Sequence, residues 1–370
     1  MRVNKHHRMN GGVLLKKYFE ERIAGIVSKE SKIDGFIADN LKNYPAYLYK
    51  YRECDKDYNF DMVEEGYLWA DKPSNFDDPS DSWVYLKLKS ELPSIEKWLK
   101  NHLGEILYYC IISNDVKKYD NDQLLQECLD AHKLFEDSIG RYNEQKAKKY
   151  IFSETEKLNE NDRKEVVRGI EIIESDEFKK KIMSAITKFL TSMANKLREN
   201  YLVCCLTMRK DNQKMWEEYA RKYTGFVIEY NIFNLEEQSE YFKTILQTFP
   251  VKYYKRMPKA PLLPFIQRIF YKSIYNKDID IIDAEIKWFK QLLIKKDEYS
   301  REEEWRIISS TQRIEFPLIS AIYMGYKISD EHRQRLEEIC SRNGVPLYIQ
   351  KFDSYEGVMT FELVKNDVCR

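Results

Sequence analysis

The stretch Tyr299-Ser300-Arg301-Glu302-Glu303-Glu304-Trp305-Arg306-Ile307 constrains the fold more than any other. An acidic cluster runs straight into Ile307-Ile308-Ser309-Ser310, and β-branched residues in that position favour a strand over a continuing helix. Side chains on a strand alternate. Glu302, Glu304 and Arg306 are therefore expected on one face, and Trp305 and Ile307 on the other. Two carboxylates and a guanidinium would then stand side by side on a rigid support backed by a tryptophan. The same residues also fit a solvated sheet edge whose acids discourage edge pairing.

The remaining chain supplies partners for such a strand. Ala46 to Arg52 alternates, placing Tyr47, Tyr49 and Tyr51 on one face and Leu48, Lys50 and Arg52 on the other, with Arg52 at the strand end. A short helix over Met62–Glu65, a stop at Gly66 and a strand over Tyr67–Ala70 lead into the turn-rich run Asp71 to Pro79. Tyr201 to Thr207 is apolar on both faces and is expected to be a central strand. A short helix carrying Met215, Trp216 and Tyr219 and a strand over Gly225–Tyr230 follow. Further strands are expected at Val251–Tyr254, Ile319–Gly325, Leu347–Phe352 and Met359–Val364. Helices are expected over Leu263–Tyr275, Ile281–Lys295 and Asp330–Arg342.

Residues 92–200 show helical patterning almost throughout, and the basic runs Lys146-Ala147-Lys148-Lys149 and Lys179-Lys180-Lys181 fit exposed helix faces. The expectation is an α+β fold: a mixed β-sheet core, with ADP-ribosyltransferase-like architecture as one form of it, and a large helical insertion. Four segments follow: a helical lead-in over 1–45, the first part of the core over 46–91, the insertion over 92–200 and the second part of the core over 201–370.

Composition narrows the function. The formal charge is zero, 61 basic residues against 61 acidic, which does not favour a dedicated duplex-DNA binder. With 12 glycines and neither a G-x-G-x-x-G nor a G-K-[ST] pattern, Rossmann and P-loop chemistry is not expected. Seven cysteines without a C-x-x-C suit a reducing, cytoplasmic setting, and no apolar run reaches the length of a bilayer span. The five histidines form no zinc-type spacing and no catalytic triad signature, so no metal ligand set is assigned.

What remains is an arginine, a small hydroxyl and paired glutamates: Arg52, Ser74, Glu302 and Glu304. That set suits cleavage of the bond between nicotinamide and ribose in NAD, where positive charge develops on the ribose carbon. A carboxylate stabilises that charge, an arginine clamps a pyrophosphate or ribose, and a second carboxylate takes a proton from the acceptor.

Several of these motifs resemble a prokaryotic family labelled a domain of unknown function. Its pattern stands here as Tyr49-Lys50-Tyr51-Arg52, Ser74-Asn75-Phe76-Asp77-Asp78-Pro79 and Cys205-Leu206-Thr207. Met215-Trp216-Glu217-Glu218-Tyr219, Gly225-Phe226-Val227-Ile228 and Lys295 through Glu304-Trp305-Arg306 complete it. The resemblance spans residues 46 to 330, interrupted by the helical block. Asp77 stands where the family has Asn, Leu206-Thr207 where it has Phe-Ser, and Tyr299 where it has Trp.

The family's association with phage defence implies a toxin or defence effector with a macromolecular target and a cognate defence partner, and no membrane. The order arginine, serine, Glu-x-Glu also resembles ADP-ribosyltransferases. That likeness implies Arg52, Ser74 and Asn75 at the NAD, Glu304 at the ribosyl cation, Glu302 at the acceptor, and Trp216 and Tyr219 stacking on the ligand. Asp77, Asp78, Lys295 and Arg306 are further candidates. Two alternatives stand beside the transferase. One is a nuclease holding a divalent cation on Asp77, Asp78, Glu302 and Glu304. The other is a non-catalytic sensor or partner-binding module.

Overall fold

A computed structural model describes residues 44–78, 80–102, 175–232, 241–275, 278–356 and 358–364, together with Glu160, Lys164 and Arg168. The expected lead-in helix, the run Lys146–Lys149 and most of the expected insertion lie outside the described residues.

An eight-stranded mixed sheet organises the first of two compact units, which comprises residues 1–83, 196–258 and 289–370. Its central strands are β1 (Tyr47–Arg52), β3 (Leu202–Thr207), β4 (Phe226–Asn231) and β8 (Glu304–Ser309). β5 (Thr248–Pro250) lies beyond β8. On the other side come β10 (Ile319–Met324), β11 (Leu347–Asp353) and β12 (Val358–Leu363). The order is β12-β11-β10-β4-β1-β3-β8-β5, with β10 and β11 parallel and the remaining pairs antiparallel. β2 (Tyr67–Trp69) pairs with β9 (Arg313–Glu315), and β6 (Lys252–Tyr254) runs parallel to β7 (Ile294–Lys296). The α+β class expected from the sequence is the observed one, with Leu202–Thr207 as an interior strand.

Register sorts the side chains into two faces, because residues directly opposite one another across a ladder point the same way. Leu48, Lys50 and Arg52 share a face with Phe226, Ile228, Tyr230, Leu206, Trp305 and Ile307, and most of these belong to one large apolar core. The second face carries the row Ala321, Glu229, Tyr49, Thr207, Glu304 across five strands.

β1 meets β3 at Tyr49 and Thr207. Farther along β3, the segment after β2 takes over: Asp71 and Val203 exchange backbone hydrogen bonds of 3.1 and 2.8 Å. Where β1 has parted from β3, the Lys50 ammonium donates to the Cys205 carbonyl.

Helix ends follow local chemistry. Helix α1 (Asp57–Glu65) stops at Gly66, whose φ of 69° is the left-handed conformation that a residue without Cβ adopts at little cost. Gly225 has a different reason to be glycine: a Cβ there would lie 2.1 Å from the Arg52 carbonyl oxygen, so β4 could not begin beside β1.

The second unit comprises 84–195 and 259–288. It contains α2 (Leu88–Asn101), most of α3 (Asp176–Asn200), α6 (Leu263–Tyr275) and all but the last residue of α7 (Ile282–Phe289), the short helices α4 (Gln213–Glu218) and α5 (Tyr241–Leu246) belonging to the first. Lys180 and Lys181 are exposed on α3, and Lys181 pairs with Glu177 one turn away, as on a solvated helix face.

Two expectations about elements are corrected. The helix expected over Ile281–Lys295 ends at Phe289, passes through a 3₁₀ turn at Lys290–Leu293 and becomes β7. Gln291 to Lys295 is buried at five consecutive positions, which a one-sided helix cannot satisfy. The strand expected to contain Glu302 begins at Glu304, because Glu303 adopts φ 43° and ends a 3₁₀ turn over Asp297–Glu302.

Candidate functional site

On β8 the expected alternation holds from Glu304 onward. Trp305 turns to the large core, with Tyr44 edge-on at 4.9 Å, while Glu304 and Arg306 turn to the opposite face. There they meet Lys295 from β7 and Asp81 and Ser82 from the loop after β2. The Arg306 guanidinium is wholly buried and every one of its nitrogens donates. Nε reaches Glu304 Oε1 at 2.7 Å, and Nη1 reaches Ser82 Oγ and the Leu292 carbonyl at 2.7 Å each. Nη2 reaches Asp81 Oδ1 at 2.6 Å and Glu304 Oε2 at 3.3 Å.

The Lys295 ammonium sits among three carboxylates, 2.7 Å from Glu302, 3.1 Å from Glu304 and 3.5 Å from Asp81, with the Tyr299 ring centre at 4.8 Å. Glu302 reaches this cluster although it is off the strand. The left-handed link at Glu303 returns its side chain to Lys295, and its carbonyl accepts from the Thr207 hydroxyl.

Burial penalises every charge here, so the pairing decides each group's protonation. Burial alone would raise Glu304, but Arg306 and Lys295 outweigh it and hold the carboxyl down at about 2. Burial would lower Lys295, but Glu304, Asp81 and Glu302 hold it above its ordinary value. Glu302 goes the other way. Burial raises it, Lys295 only partly offsets this, and Glu304 and Asp81 add repulsion. Three carboxylates against two cations leave one negative charge in excess, and Glu302 is the group that relieves it by keeping a proton to higher pH. Its Oε1 is buried with no hydrogen-bond partner among the described residues. Tyr253, whose hydroxyl accepts from the Glu304 amide, and the partly exposed Tyr219 stand near the Glu302 side of the cluster.

Of the residues expected at the site, Glu302, Glu304, Lys295 and Arg306 come together. Arg52 does not. It lies on the opposite face of the sheet from Glu304, in register with Phe226, with Nη2 3.3 Å from Met62 Sδ and a buried Nε that has no partner among the described residues. Period-two alternation on β1 and β8 and their register across β3 impose this, so a single pocket joining Arg52 to the acid pair is corrected.

Ser74 is exposed and hydrogen-bonds Glu199, and Asn75 donates to Asp71 at 2.8 Å, as a capped turn does. Asp77 is exposed, and Asp78 accepts from the Ser80 amide and hydroxyl. Trp216 is fully buried and donates to the Lys210 carbonyl at 2.8 Å, so it is core and not a stacking platform. The turn-rich loop does contribute to the cluster, but through Asp81 and Ser82, which the sequence reading passed over. The signal for them was weak: Pro79-Ser80-Asp81, directly after Asp78, repeats the Pro-Ser start of Pro73-Ser74-Asn75.

Lys295 and Arg306 compensate two of the cluster's three carboxylate charges. The Lys295 ammonium lies between the carboxylates of Glu302, Glu304 and Asp81. Among the described residues, no group of three or more His, Cys, Asp or Glu is arranged to hold a metal ion. Also among them, no helix is long and apolar enough to cross a membrane.

Neither a curated protein nor a solved structure matches the chain. Residues 215–307, which run from the Trp216 helix through Lys295, Glu302, Glu304 and Arg306, match the family model of a protein of unknown function, DUF2971.

Proposed function

We propose that this chain is a binding module, a sensor or partner-recognition domain, whose Lys295–Glu304–Arg306 cluster is a structural centre. One observation carries the reading: Arg306 is wholly buried with all its donors used, and both oxygens of Glu304 are taken by Arg306 and Lys295. A carboxylate held this way reaches a ribosyl cation only by giving up ion pairs inside a low-dielectric interior, where an unpaired charge is costly. Arg52 lies on the other face of the sheet from Glu304, which counts against the three-residue transferase arrangement. The nuclease reading meets the same difficulty, because Glu302 and Glu304 are already paired with Lys295 and Arg306.

An NAD-consuming transferase is the second reading, and Glu302 is the observation that favours it. It combines a carboxyl raised by burial with an unpartnered oxygen, and the partly exposed Tyr219 and Tyr299 rings stand nearby. In that case Glu302, and not Glu304, exchanges the proton. The family's association with phage defence leaves the biological setting open to both readings.

Incubation with NAD labelled in the nicotinamide ring separates the two. The binding module releases no nicotinamide, with or without cell lysate, and Glu304→Gln melts well below wild type. Release by wild type that disappears in Glu302→Gln while folding is retained would replace the binding reading with the transferase.

A further inference from the structure

A second polar site lies on the same sheet face, three strand spacings or roughly 14 Å from Glu304 along the shared row. Its floor is Glu229, a carboxylate in an otherwise apolar strand. Tyr323 donates to its Oε2 at 2.7 Å and Ser320 to its Oε1 at 2.8 Å. Aromatic rings stand around it. Tyr49 neighbours Glu229 on β1, Tyr323 is stacked on Tyr348 at 5.0 Å, and Phe361 meets Tyr323 edge-on at 4.9 Å. Together they form a box of π-faces with a buried acid at its base, which is the chemistry that binds an alkylammonium group.

In this structure the box holds a cation from the chain itself. The Lys210 ammonium stands 4.3 Å from the Tyr323 ring centre, 5.8 Å from Phe361 and 5.9 Å from Tyr49. Its polar contacts are a 3.0 Å hydrogen bond to the Tyr323 hydroxyl and a longer, 3.8 Å approach to Glu229.

We propose that this box is a recognition site for an alkylammonium group, and that Lys210 fills it in the unliganded protein as a displaceable placeholder. Three observations support this beyond the presence of a cation over rings. First, the Lys210 side chain is 35% exposed, whereas Glu229 is 11% exposed, so the occupant is reachable from solvent and the acid beneath it is not. Second, the loop backbone is fixed independently of the box. Tyr51 donates to the Arg209 carbonyl at 2.9 Å and Trp216 to the Lys210 carbonyl at 2.8 Å. The side chain can therefore leave by rotation about its own bonds without moving the loop. Third, Gln350, opposite Phe361 on β11 and 3% exposed, has an Oε1 with no donor among the described residues. A ligand that carries an amide N–H donor as well as its cationic group, as a peptide containing a methylated lysine does, offers what that acceptor lacks.

The placeholder lowers the apparent affinity of any competing cation by the fraction of time it occupies the box, and its removal restores the intrinsic affinity. This inference deepens the binding reading by naming a ligand class, and it does not depend on the Glu304 cluster.

Tetramethylammonium chloride and a peptide containing trimethyllysine are the probes, used with the full chain. In protein labelled with lysine carrying ¹³C at Cε, the Lys210 resonance is expected upfield of the others from the aromatic ring currents. It should move to the position of solvent-exposed lysines as either probe is added. A probe that acts only as the peptide identifies a protein partner, and equal action by the small cation identifies a small-molecule ligand. Lys210→Ser should bind tetramethylammonium at least tenfold more tightly than wild type, and adding Glu229→Gln should remove that gain.

A Lys210 resonance that stays in place at saturating probe overturns the proposal, even if Lys210→Ser fails to fold. Equal affinity in wild type and a folded Lys210→Ser overturns it too. Nicotinamide release is read in a separate assay, so failure here and failure of the binding reading are told apart.

Discussion

Glu304 and Glu229 lie in one cross-strand row on one face of the same sheet, and they are held in opposite ways. Glu304 is gripped by two cations that are themselves buried, one of them with five hydrogen bonds and no exposure. Glu229 is gripped by the hydroxyls of Tyr323, Ser320 and Tyr49, and the Lys210 ammonium arrives from a loop, remains partly exposed and approaches no closer than 3.8 Å. The first arrangement holds Glu304 by internal partners and fixes strands β7 and β8 to the loop that carries Asp81. The second leaves a carboxylate under an exchangeable occupant. A buried charge that is fully compensated from within stabilises a fold, whereas one compensated by a solvent-reachable side chain can exchange that partner for a ligand.

The largest effect that distinguishes the two sites should come from Arg306→Met. Removing the guanidinium strands Glu304 and Asp81 beside a single lysine, and breaking a buried network in this way costs about 3–5 kcal/mol. Urea unfolding followed by far-ultraviolet circular dichroism measures it. A loss under 1 kcal/mol would mean the cluster is not the structural centre. Glu229→Gln should cost less, about 1.5–3 kcal/mol for hydrogen bonds to a charged group, because the amide still accepts from Tyr323 or Ser320. If Glu229→Gln cost as much as Arg306→Met, the contrast between the sites would disappear.

A third test uses pH, since the two acids of the cluster shift in opposite directions. Glu304 is depressed from 4.5 to about 2 in the fold. The stability it contributes is present above its unfolded pKa and is lost as pH falls from 4.5 toward 2. Glu302 is raised in the fold, so its contribution is complete below its unfolded value and is lost as pH rises through the raised one. Melting temperature should therefore peak between these limits. Glu302→Gln should flatten the alkaline side of the profile, and Glu304→Gln the acid side. If Glu302→Gln left the alkaline side unchanged, Glu302 would not be the group that absorbs the excess negative charge.

Much of the sheet was legible because strands announce themselves by alternation, and the separation of Trp305 from Glu304 and Arg306 followed from that period alone. Placing Arg52 beside the acids required more than period two. It required knowing that β1 and β8 flank β3 and in which register, and pairing between distant segments is not written in either segment. Asp81 and Ser82 were missed for the same reason, since they meet Arg306 across more than 220 residues of sequence. Glu302 was assigned to the strand because nothing in Glu302-Glu303-Glu304 marks the left-handed residue between the outer two. Glu229 did carry a signal. A lone acid inside Phe226-Val227-Ile228-Glu229-Tyr230 is rarely buried without partners, and the aromatic positions of β10 and β12 were candidates to supply them.

The smallest effect belongs to the residue on which the contrast turns. Lys210→Ala removes a partly exposed cation–π contact and one hydrogen bond to Tyr323, so the loss in stability should be about 0.5–1 kcal/mol. Glu229 would be left without a cation, but the box then opens to water, which solvates the carboxylate and limits the cost. A structural lysine predicts a different result. If Lys210 were as integral as Arg306, its removal would strand Glu229 in a closed interior and cost several times more. Differential scanning calorimetry of Lys210→Ala beside Arg306→Met measures both in one comparison. A ratio near one would make the two sites the same kind of object, and a ratio of three or more would keep them distinct.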